Sequence, residues 1–194
     1  MKLLDACVDL VNQRIIETQL TGNPFQTGNY YGLTYQATDP ETKDIRPYYY
    51  ENNIPKYIDL TDAVNAVMYH RCVSIAMTEP PNLGFGDDDD VAVQYGMFLV
   101  FYGKRANIGV SMEDMILKLS TALKYQFNNA NLINSGLRAV RASVQRANSN
   151  SLQVFTGEYG ATASCPLQFD SVYFGINYQI EILASNNCLT CSDC

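Results

Sequence analysis

Val91–Asn129 reads VAVQYGMFLVFYGKRANIGVSMEDMILKLSTALKYQFNN. Its first part carries an unbroken apolar run, Met97-Phe98-Leu99-Val100-Phe101-Tyr102, closed by Gly103-Lys104-Arg105. Such a run, rich in aromatic and branched side chains, suits a strand covered on both faces. The second part changes period. Met112, Met115, Ile116, Leu119, Leu123 and Phe127 recur at steps of three and four, which places them on one face of a helix. Ser111 is a good N-cap, Asp114 can reach back to it, and Glu113 and Asp114 suit the positive end of the helix dipole. A buried strand thus feeds an amphipathic helix. This is a packing unit and contains no catalytic motif.

Working outward, Leu4, Val8, Val11 and Ile15 line one face of a first helix over roughly Met1–Leu20, with Cys7 beside them. Thr21-Gly22-Asn23-Pro24 stops it. Phe25–Asn53 is rich in Tyr, Gly, Asn and Thr and reads as an exposed hairpin or arm. Its strands are Tyr30–Ala37 and Ile45–Glu51, and Pro47 demotes the second to an edge. Thr61 or Asp62 caps a brief helix through Met68 or His70, and Cys72–Met77 is a strand. Residues 80–90 form the loop that joins it to the central strand. Leu137–Arg146 is a strand with Val140, Ala142 and Val144 on one face. Asn148–Asp170 is a long polar loop with a short strand at Leu152–Phe155, and loops of this length are commonly partner-binding arms. Ser171–Leu183 alternates strictly, with Val172, Phe174, Ile176, Tyr178, Ile180 and Ile182 facing one way. The expected fold is α+β: a mixed, mostly antiparallel sheet packed by an N-terminal and a central helix, with long hairpin arms at 25–53 and 148–170. Residues 1–183 form one domain and 184–194 a Cys-rich tail.

The formal charge of −7 argues against a general nucleic-acid binder, while an acidic lining suits DNA that slides past without sticking. No apolar stretch approaches the ~20 residues that span a bilayer. The N-terminus has no signal-peptide pattern, so the chain is expected to stay in the cytoplasm in which it is made, at least until assembly. Trp is absent and there are 14 Tyr, a residue suited to surfaces that become buried against partners.

Candidate chemistry is sparse. Cys188-x-x-Cys191-x-x-Cys194 has the spacing of thiolate ligands, but a tetrahedral site needs a fourth ligand from Cys165 or His70. The alternative is a tail that happens to be Cys-rich. Asp87, Asp88, Asp89 and Asp90 lack the alternating spacing of a calcium loop and read as an exposed acidic loop. His70 is the single histidine and reads as part of a helix end. There is no G-x-S-x-G and no phosphate-binding loop, so no enzyme is expected, and no cofactor. Arg138, Arg141 and Arg146, with Lys104 and Arg105, read as solvated strand-face charges. The aromatics of the two arms, Tyr30, Tyr31, Tyr35, Tyr48, Tyr49, Tyr50, Phe155 and Tyr159, are too many for loops left in water and read as an assembly interface.

The order of elements resembles the small α/β proteins at the neck of tailed bacteriophages, the tail-terminator and head–tail connector (ring) proteins. The elements that carry the resemblance are Met1–Leu20 as leading helix, Val91–Asn129 as strand plus helix, and Leu137–Arg146 with Ser171–Leu183 as closing strands. It implies a non-enzymatic virion subunit in a six-fold or twelve-fold homo-oligomeric ring, assembled in the host cytoplasm. Its loops would bind neighbouring subunits and the portal, neck or tail proteins above and below. DNA would pass through the channel without specific binding, with Asp87–Asp90 facing it. The rival readings are an adaptor stabilised by metal on the Cys tail, or an enzyme using His70 with Cys72 or a nearby acid.

Overall fold

The computed structural model describes residues 2–17, 29–38, 40–41, 43, 45–58, 66–78, 91–104, 110–127, 133–134, 137–160 and 171–184. In chain order these form α1 (Lys2–Glu17), β1 (Asn29–Thr38), β2 (Ile45–Glu51), β3 (Ile54–Tyr57), β4 (Ala66–Thr78) and β5 (Val91–Lys104). There follow α2 (Met112–Leu123), β6 (Tyr125–Gln126), β7 (Ile133–Asn134), β8 (Leu137–Asn148), α3 (Ser151–Tyr159) and β9 (Ser171–Ala184). The strands make one sheet in the order β3-β2-β1-β4-β5-β9-β8-β6, with β7 also on β8. β1 runs parallel to β4, and the other described pairs are antiparallel. The chain is an α+β protein with a mixed, mostly antiparallel sheet, as its sequence indicates.

β5 lies at the centre because both its faces are apolar. Met97, Leu99 and Phe101 enter a first core beneath α1 and α2, while Val100 and Tyr102 enter a second core beneath α3, with Phe98 packed against it. Two covers on one sheet explain the absence of alternation in the sequence. The same reasoning corrects the assignment of residues 66–70. They are strand, not the end of a helix: Ala66 and Met68 fill the first core and Val67 and Tyr69 the second. Burial on both faces removes the period-2 signal, and chance spacing of Ala63, Val67 and Arg71 mimics a helix.

α2 begins where Ser111 caps it. Ser111 Oγ accepts from the Asp114 amide at 3.1 Å and donates to the Asp114 carboxylate at 3.0 Å. The helix stops at Leu123, earlier than the apolar spacing implies, because Tyr125 and Gln126 pair with β8. Phe127 still reaches the first core, held by its backbone N–H, which donates to the Val140 carbonyl at 2.9 Å. On α1, Leu4, Cys7, Val8, Val11 and Ile15 all lie in the first core.

β9 keeps its alternation, with Phe174, Ile176, Tyr178, Ile180 and Ile182 in the first core. β8 does not. Bulges at Val140 and Gln145 interrupt its pairing with β9, so Ala139, Ala142, Val144 and Ala147 meet Ile182, Ile180, Tyr178 and Ile176 in turn. Each bulge inserts one residue and resets which side chains face inward. Ala139 therefore takes the place that strict alternation assigns to Val140.

The two expected arms are also corrected in part. The strands of the first are woven into the sheet, since β1 pairs with β4. The second contains α3 in place of a short strand at Leu152–Phe155; Asn150 caps it by accepting from the Gln153 amide at 3.2 Å. Gly160, at φ +85°, ends the helix in a conformation open chiefly to glycine. Residues 161–170 lie outside the described residues.

Candidate assembly surface

The outermost three strands present the clearest surface feature. Asn52 and Asn53, at φ 52° and 63°, form a two-residue turn that needs positive φ at both positions, which Asn tolerates. This turn sets Glu51 opposite Ile54, and hence Tyr50 opposite Pro55 and Tyr48 opposite Tyr57. β1 then sets Tyr35 opposite Tyr48. Alternation along each strand puts Tyr35, Tyr48, Tyr50 and Tyr57 on one face. Their rings touch in a cluster: Tyr35 to Tyr48 at 5.6 Å, Tyr48 to Tyr50 at 5.6 Å, and Tyr48 to Tyr57 at 6.3 Å. The Tyr48–Tyr50 and Tyr48–Tyr57 contacts are edge-on, a geometry that stabilises aromatic pairs beyond their buried area. The cluster is open to solvent, with Tyr50 55% and Tyr57 36% exposed. Burial, then hydrogen bonding and repulsion from Tyr50, raises the Tyr48 phenol above its ordinary value. Tyr57 was not among the sequence candidates; the Asn-Asn turn that registers it was the available signal.

The other candidate aromatics go elsewhere. Tyr30 is half-buried against the first core. Tyr31 and Tyr49 pack together, centroids 4.5 Å apart, against the second core. Phe155 and Tyr159 stack at 5.1 Å and are 2% and 7% exposed. They are corrected from interface to interior: α3 uses them to cover the sheet of its own chain. The Tyr159 hydroxyl donates to the Ile58 carbonyl at 3.0 Å.

His70 is fully buried in β4 and makes a tie between elements. Asn12 donates its Nδ2 to the Tyr31 carbonyl at 3.4 Å, so its Oδ1 faces His70 Nε2 at 2.6 Å. Nε2 must therefore carry the proton, and Tyr178 donates its hydroxyl to Nδ1 at 2.7 Å. One imidazole joins α1, β4 and β9, and through Asn12 also β1. Burial holds it neutral, its pKa lowered to about 3. The candidate nucleophile partner, Cys72, lies two residues away with its thiol donating to the Ser74 carbonyl at 3.6 Å.

On the opposite face Glu158 is buried. Its Oε1 accepts from Arg71 Nε at 3.1 Å and Nη2 at 2.8 Å, and its Oε2 accepts from the Tyr69 hydroxyl at 3.2 Å. Burial raises its pKa, and Arg71 and Tyr69 oppose that rise. Gln36 donates to the carbonyls of Gly157 at 2.8 Å and Glu158 at 3.3 Å, which pulls the end of β1 toward the last turn of α3. Among the basic candidates, Arg141 donates Nε to the buried Glu181 at 2.7 Å, and Arg146 is exposed opposite Asn177.

Asp87–Asp90, Arg105, Cys165, Cys188, Cys191 and Cys194 lie outside the described residues. Among the described residues no three His, Cys, Asp or Glu side chains gather as metal ligands, and no helix is long and apolar enough to cross a membrane. No protein-family model matches the chain, and no curated protein matches it.

Proposed function

We propose that this protein is a structural virion subunit at the neck or tail end of a tailed phage. It forms a six- or twelve-fold ring around the DNA channel with copies of itself and joins the rings above and below. The observation that carries this reading is the surface cluster in which Tyr50 and Tyr57 are exposed and Tyr35 and Tyr48 half-buried. Contiguous exposed aromatic surface marks association sites, and Tyr is enriched where protein surfaces meet. Two titratable groups of the described interior act as ties: His70 bonds Asn12 and Tyr178, and Glu158 bonds Arg71 and Tyr69. The order of elements, helix, central strand, amphipathic helix and closing strands, supports the same role. A ring repeats one heterologous contact around an axis, and in this reading the tyrosine cluster of each subunit meets a different surface of the next. Asp87–Asp90 would keep the channel negatively charged and hydrated, and so repel phosphates.

The test combines native mass measurement with Tyr50→Ser and Tyr57→Ser substitutions. The reading predicts a closed ring that the paired substitution dissolves while the fold of each subunit survives. A chain that never associates, alone or with portal and tail proteins, would overturn it.

A further inference from the structure

The edges of the sheet are not treated alike. A strand edge offers unpaired amides and carbonyls, and natural proteins block it with proline, charge, bulges or short length. β3, an edge strand, contains Pro55 and the charged Lys56. β6 and β7 have two residues each. β8, where β6 and β7 do not cover it, has the bulge at Gln145 and the exposed Arg146. Among the described residues β4 is the exception. β1 pairs with it as far as Thr34 opposite Arg71, and then turns toward α3 through Gln36. Beyond the irregularity between Cys72 and Ser74, β4 runs in regular register against β5 for Ser74-Ile75-Ala76-Met77-Thr78, from Gly96 to Ala92. These five residues hold no charge and no proline. Ile75 is 65% and Met77 75% exposed, and both project from the face that Tyr95 and Val93 occupy.

We propose that Ser74–Thr78 pairs antiparallel with the same segment of a second copy, about a two-fold axis through Ala76. The segment is self-complementary in this register. Ile75 faces Met77 of the second copy and Met77 faces its Ile75, all on one side of the joined sheet, with the small Ala76 meeting its equivalent on the other. Copies of a chain of formal charge −7 repel one another. An uncharged edge with exposed apolar side chains is where two copies approach at least electrostatic cost. This contact closes on itself and does not depend on the ring reading; in a ring assembly it would join two rings rather than neighbours within one.

The test is sedimentation of the full chain with paired substitutions. The unmodified chain sediments as a reversible species containing two-fold pairs. Ile75→Lys with Met77→Lys places like charges directly opposite and weakens pairing by about a hundredfold. Ile75→Lys with Met77→Glu places opposite charges in the same register and restores it. Both positions are exposed, so circular dichroism and the unfolding midpoint stay near those of the unmodified chain. Ala76→Cys, oxidised, gives a symmetric disulfide between the two introduced thiols on peptide mapping. A monomeric unmodified chain, pairing indifferent to both lysines, failure of the Lys/Glu pair to restore it, open-ended aggregation, or an edge that takes up only an extended peptide of another protein would each overturn the proposal.

Discussion

Arg71 and Glu158 lie 87 residues apart in sequence and meet on the second face of the sheet, two guanidinium nitrogens on one carboxylate oxygen. The pair fastens α3 to β4, and Tyr69 holds the other oxygen. Arg71→Ala would leave Glu158 buried and unpaired, a loss of about 3–5 kcal/mol. Adding Glu158→Gln should recover much of that loss, because the stranded charge is then gone. Urea unfolding of the single and double variants measures it. Equal stability of Arg71→Ala and the unmodified chain would mean that α3 is held by apolar packing alone.

His70 makes the fold sensitive to acid. Its folded pKa of about 3 lies below the ordinary 6.5, so between those values the unfolded chain binds a proton that the folded chain does not. Stability therefore falls as pH drops from 6.5 toward 3. Glu158 acts in the opposite sense: its raised pKa adds stability as pH falls through the folded value. Comparison with His70→Gln isolates the histidine. At pH 7 the variant should be less stable by about 2 kcal/mol, from disrupted buried hydrogen bonds. Because the unmodified chain loses about 1.4 kcal/mol per pH unit below 6.5, the gap should close at about pH 5 and reverse below it. A gap that stays constant across urea midpoints in this range would contradict a neutral, buried imidazole.

Phe155 is a core residue of its own chain. Phe155→Ala should cost about 3–5 kcal/mol through lost burial and a cavity against Tyr159 and Tyr173. A dilute, unassociated sample is the right material, since there an interface residue would show little effect on the unfolding midpoint.

Gly175 faces the Phe98 ring across the β5–β9 pair, and a Cβ there would collide with it. Gly175→Ala should destabilise by about 1–3 kcal/mol. Phe98→Leu should soften that penalty in the double variant, because the obstructing ring is gone. A double-mutant cycle in thermal or urea unfolding reads the coupling, and strict additivity would place the strain elsewhere.

These residues also show where the sequence was readable. The apolar run of β5, the cap at Ser111 and the alternation of β9 each carry a local signal that the sheet obeys. β8 does not, because its bulges leave no trace in a hydropathy pattern and are defined by the partner strand. α3 was legible only at its ends, Asn150 and Gly160; its nine residues include Val154, Thr156 and Gly157, poor helix formers that packing overrides. The role of His70 was half visible. Asn12 interrupts the apolar stripe of Val8, Val11 and Ile15, and a polar residue on a buried stripe needs a partner, but only the packing of α1 on β4 names it. The tyrosines were legible as surface-seeking residues. Which of them share a face depends on the Asn52-Asn53 turn and the register that it sets.

The most direct measurement is the native mass of the purified chain across concentration, alone and with portal and tail proteins, beside a Tyr50→Ser, Tyr57→Ser variant. Discrete assemblies of six or twelve chains are expected, and smaller species of folded subunits for the variant. A chain that remains single in every mixture, or assembles identically without its exposed tyrosines, would contradict it.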